Sequence, residues 1–406
     1  MLIEISDELV IFYTLALALL FGKLFEELIS RTKYPPVLGD LLAGLVIGST
    51  VLGIYVINDT VKALAWFGVT ILLFYAGLST RYSDFIRLLP VAGILTLGEA
   101  LAAFSMGFII GAVLGYDLMK SFFLGAILEA TSVSLTIRTL IELGKLNTIE
   151  GYTIMEIAVL DDLASLITIS IGASIATLGV LSIVNVSIVV LKAVGAWIAI
   201  VVILHRTAKY IIKAVSKMHI EEAMISILIA VFSASAVLVG LAGVSPLVGA
   251  YAAGLALSEV IGLREVRESI RKLAIIFSTI FFVTTAAQLN LREALRPEFL
   301  SFYLLMIIAA FAGKLMGAGI TSFILGFPLR SVFRISVGLF PRCEFAIIAA
   351  YTAVSFNILG PEAYLAALMI VFVTNIVTPP LLKVVFAGED TEEVKLRFKR
   401  VVLRRQ

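Results

Sequence analysis

The sequence is poor in cysteine, histidine and charge. Of its 406 residues, one is cysteine (Cys343) and two are histidine. A single cysteine excludes an internal disulfide and any cysteine metal cluster. Only 15% of the residues are Asp, Glu, Lys or Arg, whereas soluble domains carry about 25%. This shortage of charge argues against a soluble globular protein. It also predicts that almost none of the chain forms a domain outside a bilayer.

Sequence motifs for nucleotides and metals are missing as well. No Walker pattern, glycine-rich nucleotide fingerprint or metal-ligand cluster occurs in the sequence. ATP-driven transport is therefore unsupported. The sequence predicts neither an enzyme nor a cofactor, and it predicts no nucleotide or nucleic acid as a partner.

Long hydrophobic runs are abundant, since 61% of the residues are hydrophobic and the mean hydropathy is +1.09. A membrane-spanning helix needs about 20 mostly apolar residues. We therefore predict an all-α polytopic membrane protein whose main partner is the lipid bilayer. Thirteen spans are predicted, at residues 8–29, 35–55, 61–79, 90–115, 119–140, 150–176, 178–204, 220–242, 246–263, 272–290, 299–325, 332–357 and 361–386.

The basic residues are distributed unequally between the two sides that these spans define. Of 31 Lys and Arg residues, 23 fall on one side and four on the other. Because basic loops face the cytoplasm, we predict a plasma-membrane protein with its N-terminus outside and its C-terminus inside. The chain would end in a short cytoplasmic tail at 388–406.

Two halves of the sequence match at an offset of 210 residues. PPVLGDLLAGLVI, from Pro35, aligns with SPLVGAYAAGLAL, from Ser245, and six predicted spans in each half align at the same offset. An odd number of helices separates the copies, which predicts two repeats of opposite orientation. Inverted repeats are typical of secondary transporters, with the transport site between them. Small-residue patterns also recur wherever membrane helices pack closely, but one shared offset favours a repeat.

The offset also pairs two polar interruptions of apolar spans, TSVSLT at 131–136 and PRCEFA at 341–346. Corresponding interrupted helices in two halves of a transporter point to its binding site. The sequence therefore predicts two interrupted, crossing helices. Thr131 and Ser132 are candidate cation ligands, or alternatively groups that hydrogen-bond the helix backbone.

Two adjacent acids, Asp161 and Asp162, lie in the apolar stretch IAVLDDLASLITISIGA. A carboxylate at the centre of a bilayer costs about 2.5–3.5 kcal/mol, so intramembrane acids usually have a function. Adjacent helix residues point about 100° apart. One acid can therefore face a fixed base, for which Lys314 is the candidate, while the other faces a cavity. An acid that binds either a proton or a cation is sufficient for antiport; a buried ion triad with a structural role is the alternative.

Other intramembrane polar residues are weaker candidates. Glu156 and Arg342 are predicted to form a structural or a gating pair, and Glu344 shares the second interrupted helix with Arg342. Glu99 and Glu129 lie inside spans without a partner that the sequence identifies.

At these residues the chain resembles the monovalent cation/proton antiporter superfamily, and most of all its electrogenic NapA/NhaA-like branch. The resemblance covers nearly the whole chain. It implies exchange of sodium, or lithium, for more than one proton, with Asp162 binding the ion and Asp161 paired with Lys314. The matching segments are PPVLGDLLAGLVIG, FYAGLSTRYSDF, TSVSLTIRTLIELGKLNT, the aspartate pair, Lys314 and FPRCEF.

The resemblance also implies an elevator-type transporter that forms a homodimer. The dimerisation scaffold would comprise 1–89 and 218–298, which hold spans 1–3 and 8–10. The transport core would comprise 90–177 and 299–387, with spans 4–6 and 11–13, and residues 178–217 would form a linker helix.

Three alternative functions stay open. Potassium/proton exchange is the alternative within the superfamily. A sodium-coupled symporter of organic solutes, of the bile-acid type, has a similar crossed-helix architecture but does not require an adjacent acid pair with a lysine. A channel is the third, and the inverted repeat argues against it.

Overall fold

The computed structural model describes residues 7–32, 34–178, 183–218, 220, 222–242, 245–259, 264–290, 297–342 and 344–387. Cys343 and the predicted tail at 388–406 lie outside these ranges. All regular elements within them are α-helices: α1 (Asp7–Arg31), α2 (Val37–Ile47), α3 (Asp59–Ser79), α4 (Tyr82–Val113), α5 (Leu118–Glu129), α6 (Val133–Glu142), α7 (Ile149–Leu178), α8 (Ile183–Val215), α9 (Ala223–Leu241), α10 (Pro246–Leu257), α11 (Arg264–Ala287), α12 (Pro297–Ile324), α13 (Leu329–Gly338), α14 (Glu344–Ser355) and α15 (Pro361–Val385).

Many of these helices suit a membrane by length and composition. Eight segments of the described chain are long and apolar enough to cross one, including residues 118–142, which contain the gap between α5 and α6. Three apolar helices are shorter: Val37–Ile47, Pro246–Leu257 and Phe345–Ser355. The prediction of an all-α polytopic membrane protein is confirmed, whereas the count of thirteen spans stays a prediction.

Two predicted spans are helical over only part of their length. The segment 35–55 is helical only as α2, because the chain turns back after Ile47. Gly53 has a φ of +62°, a left-handed conformation that glycine adopts without a steric penalty, and Tyr55 N donates to Ile47 O at 3.0 Å. Similarly, α10 covers only the first part of the predicted span 246–263.

The helices form two compact units. The first unit contains α1, α2, α3, α9, α10, α11 and the part of α8 from Trp197 onward. The second contains α4, α5, α6, α7, the part of α8 up to Ala196, and α12 to α15. The chain therefore enters and leaves each unit more than once.

Glycines allow close helix contacts in the first unit. Gly44 of α2 rests on the backbone carbonyl of Val283 in α11, and Gly254 of α10 rests on that of Phe74 in α3. Neither position has room for a Cβ atom, which is how small residues bring membrane helices together. Positions 44 and 254 are 210 residues apart, so the two contacts follow the offset of the sequence repeat.

The second unit has an equivalent contact between α4 and α12. Gly313 of α12 rests on the backbone of Ala103 in α4, and Gly317 rests on that of Glu99. An apolar core formed by α5, α12, α14 and α15 lies in the same unit. Its buried members include Phe123, Ile127, Met306, Ala349, Ala367 and Ile370.

Candidate ion-binding site

The two helices that the sequence predicts to be interrupted are both broken. Residues 130–132 separate α5 from α6, and the described residues 339–342 follow the end of α13 before α14 begins at Glu344. The two gaps contact each other, because Ser132 N donates to Pro341 O at 2.7 Å. Thr136 Oγ1 also donates to the carbonyl of the last residue of α13 at 2.7 Å.

The two breaks have different causes. In the second, Pro341 lacks an N–H and disfavours a helical conformation for the residue before it. The first has no proline and is stabilised by side chains of other helices. Thr131 N donates to Asp161 Oδ2 at 2.7 Å, and Lys314 Nζ donates to the backbone carbonyl of Glu129.

Asp161 of α7 and Lys314 of α12 form an ion pair with 3.7 Å between Oδ2 and Nζ. Both side chains are fully buried. Lys314 binds the C-terminal end of α5, where the backbone carries partial negative charge, and Asp161 binds an N–H just before α6, where it carries partial positive charge. The pair therefore caps both ends of the broken helix.

Lys314 has a second acidic partner that the sequence analysis missed. Its Nζ binds Oε2 of Glu99, which projects from α4 and is also fully buried. A signal for this contact exists in the sequence, because Gly313 and Gly317 are spaced as in a close membrane helix contact. Such spacing next to an intramembrane lysine indicates a neighbouring helix, but it does not say which one.

Glu129 is the third acid near this lysine. Its side chain faces Asp161, Lys314 and Thr168. The sequence alone identifies no partner for Glu129, and the structure places both its carboxyl group and its backbone carbonyl beside the ion pair. A single buried lysine thus lies among three acids.

Buried oxygen atoms next to the pair are candidate cation ligands. Thr131 Oγ1 and Asp161 Oδ1 form no hydrogen bond within the part of the chain that the structure describes. Hydroxyl and carboxylate oxygens are what hard cations bind. Asp162 is buried beside them on α7 and points about 100° away from Asp161. Ser132 Oγ lies 3.3 Å from Ser134 Oγ.

Arg342 lies in the second break. It donates to Ala310 O at 2.7 Å, and its backbone N–H donates to Thr374 Oγ1 at 3.1 Å. Glu156 is fully buried on α7, and its pairing with Arg342 stays a prediction. Glu344 is the first residue of α14, and its side chain lies outside the part of the chain that the structure describes.

A separate buried ion pair lies at the start of α7. Glu150 Oε1 accepts hydrogen bonds from Arg334 Nη1 at 2.9 Å and from Ser331 Oγ at 2.8 Å. Arg334 also donates to Val385 O at 3.1 Å. Arg334 is buried in α13 and links α7 to α15.

Comparisons with known proteins give one consistent family. A family model described as the transmembrane sodium/hydrogen exchanger matches residues 16–388. The chain is 34% identical over 379 residues to a probable Na⁺/H⁺ antiporter of Bacillus cereus, GerT, which covers 92% of this chain and 99% of that protein. It is 32% identical over 380 residues to the Na⁺/H⁺-K⁺ antiporter GerN of the same organism, covering 93% and 97%.

The fold is similar to that of a solved structure. The sodium proton antiporter MjNhaP1 of Methanocaldococcus jannaschii superposes with a TM-score of 0.71 and 19% sequence identity, covering 98% of this chain and 100% of that one. At this identity the likeness concerns the fold alone.

Proposed function

We infer, from the premise that this chain belongs to the sodium/hydrogen exchanger family, that it is a multi-pass membrane transporter exchanging sodium ions for protons. Families of this kind are transporters rather than catalysts, and sodium is the cargo rather than a cofactor. The observation that carries the inference is the buried Asp161–Lys314 pair at a broken helix, with Asp162 buried beside it.

We propose that Asp162 is the carrier. A carboxylate in a cavity can hold a proton or a sodium ion, and the two compete for the same oxygens. Asp161 adds a second carboxylate whose Oδ1 is available among the described residues. Thr131 would supply a hydroxyl oxygen, and Ser132 is the next residue of the same break. These oxygens fit a small hard cation.

Electrogenic exchange is the finer proposal. Two adjacent aspartates and a lysine supply enough ionisable groups for more than one proton per sodium ion. If so, each cycle moves net charge, and the membrane potential contributes about 2.3 kcal/mol per charge at 100 mV. An imposed potential should then drive proton movement even without a sodium gradient.

Larger-scale features of the mechanism are also proposals. The second compact unit holds the broken helices and the ion pair, which suits a mobile transport core, and the first suits a dimerisation scaffold. Glycine contacts that follow the 210-residue offset support the inverted repeat. We propose a homodimer in the plasma membrane with an external N-terminus. Native mass measurement in mild detergent should give twice the chain mass; monomer alone would contradict it.

Potassium is a second candidate cargo. It is favoured by one observation, the 32% identity to a protein named as a Na⁺/H⁺-K⁺ antiporter. A sodium-coupled symporter of organic solutes has less support, because it does not require the Asp161–Lys314 pair.

A proteoliposome assay with a trapped pH dye tests the proposal. Sodium, lithium and potassium are added in turn outside the vesicles, with and without an imposed potential. External sodium should raise the internal pH, and the potential should change the rate. Protein-free vesicles give the leak, and an ionophore that exchanges sodium for protons gives the full response. No proton movement with any of the three cations would contradict cation/proton exchange.

A further inference from the structure

Lys314 contacts two other groups more closely than it contacts Asp161. Its ammonium group binds Glu99 Oε2 and the backbone carbonyl of Glu129 directly. Asp161 Oδ2 is 3.7 Å away, which is within ion-pair range but beyond a normal hydrogen bond. Asp161 Oδ2 accepts its hydrogen bond from Thr131 N instead. The lysine is therefore held on one side of the aspartate rather than against it.

Close packing of α4 on α12 fixes Glu99 in this position. A Cβ added at Gly317 would lie 2.5 Å from the Cα atom of Glu99, and one added at Gly313 would lie 2.8 Å from the Cα atom of Ala103. Lys314 lies between these two contact points on α12. The Glu99–Lys314 pair thus lies at a close contact between the backbones of α4 and α12.

A sodium ion and a lysine ammonium would compete for the same carboxylate. Both are monovalent cations, and hydrogen bonds from an ammonium to a carboxylate are among the strong ones. If Lys314 bound Asp161 directly, a cation would have to displace it before using that carboxylate. A second carboxylate that holds the ammonium removes this competition.

We propose that Glu99 is a positioning residue that holds Lys314 away from Asp161, so that the lysine competes less with the transported cation for the Asp161 carboxylate. The inference rests on the proposed cation/proton exchange and adds a residue to its mechanism. If the Glu99–Lys314 pair were purely structural, its loss would lower stability. It would not change cation affinity in a way that depends on Lys314.

The experiment is a double-mutant cycle read out as sodium affinity. Apparent affinity is measured as the KM of sodium-driven proton flux in proteoliposomes, and also from the sodium dependence of thermal stability in detergent, which needs no turnover. Glu99→Gln should weaken sodium affinity by about tenfold or more, because Lys314 is released toward Asp161 and an unpaired buried charge has large effects.

The second arm removes Lys314. In a Lys314→Gln protein, Glu99→Gln should change sodium affinity by less than about twofold, the range expected when two changes are no longer coupled. If Glu99→Gln is not recovered from membranes, Glu99→Asp replaces it. Its carboxylate is one methylene short, so affinity should fall by less, and Lys314→Gln should again remove the effect.

Glu150→Gln is the matched control. It removes a buried acid of the same unit from its own pair with Arg334, so it should lower thermal stability and leave sodium affinity unchanged. Equal losses of affinity from Glu99→Gln with and without Lys314, or no loss in either background, would overturn the inference. Absence of both sodium-driven flux and sodium stabilisation in the native protein would instead overturn the proposed function.

Discussion

Asp161 and Lys314 replace the backbone hydrogen bonds that the break between α5 and α6 removes. In a bilayer core each unsatisfied backbone group costs several kcal/mol. Lys314 binds the carbonyl of Glu129 and Asp161 binds the N–H of Thr131. The same two side chains therefore stabilise the break and belong to the proposed ion site, which explains how a helix without proline stays broken.

Asp162→Asn should abolish sodium-driven proton flux while the protein still folds. A neutral amide cannot alternate between a proton and a cation, and it keeps nearly the same volume in a buried position. Flux is measured in proteoliposomes, with folding checked by monodisperse elution and thermal unfolding in detergent. Flux near the native rate would show that another acid carries the ion.

Lys314→Ala should lower the free energy of unfolding by about 3–5 kcal/mol, because it leaves buried acids without their cation. Combination with Glu99→Gln should recover more of this loss than combination with Asp161→Asn, since the lysine binds Glu99 directly and Asp161 at 3.7 Å. Thermal unfolding of the single and double variants measures both couplings. A larger coupling to Asp161 would contradict the geometry described here.

The sequence identified candidate site residues because a charged side chain inside an apolar span is rare and needs a partner. Asp161 and Lys314 could be paired because each needs a partner inside an apolar span. Glu99 satisfied the same criterion and was left unassigned. Which of several intramembrane acids reaches a lysine depends on helix contacts, here the packing of α4 on α12, and a single sequence does not specify those contacts.

The polar residues of the sequence located the two broken helices. They did not locate the residues at which the helices end. The polar segments begin at 131 and 341, whereas the helices stop at Glu129 and Gly338. Helix ends depend on which groups cap them, and at the first break the caps come from α7 and α12. Likewise, α2 stops early because Gly53 allows a turn, a local signal that an apolar run of about 20 residues conceals.

Contact between α4 and α12 gives a prediction for Gly317. Its Cβ would overlap the backbone of Glu99, so Gly317→Ala should lower the free energy of unfolding by about 1–3 kcal/mol through overpacking. Gly93→Ala, in α4, is the control, because no atom lies within 4 Å of the Cβ that it adds. Thermal unfolding compares the two; equal stability would mean that α12 shifts without loss.

At the scale of the whole molecule, the family model and the relatives confirm the family that the sequence motifs suggested. The subtype stays a proposal. The offset of 210 residues was found in the sequence alone. Two glycines at this offset, Gly44 and Gly254, also make equivalent close backbone contacts in the structure. The division into two units could not be read from hydropathy, because apolar spans look alike whether they carry a site or a scaffold.

Orientation in the membrane can be tested with single cysteines in a Cys343→Ser chain. Asp117 and Lys217 are exposed in loops that precede α5 and follow α8, and the distribution of basic residues assigns them to opposite sides. In intact cells, a membrane-impermeant maleimide should label Asp117→Cys and spare Lys217→Cys until the cells are permeabilised. The reverse pattern would invert the predicted topology.

The capping of α5 by Lys314 has a consequence for biosynthesis. The lysine follows Glu129 by 185 residues, and a ribosome adding about 5–20 residues per second needs roughly ten to forty seconds to make that stretch. During this interval the first broken helix resides in the membrane without the ammonium group that completes its end. A nascent chain that stalls before α12 therefore lacks one of the two side chains that cap the break between α5 and α6.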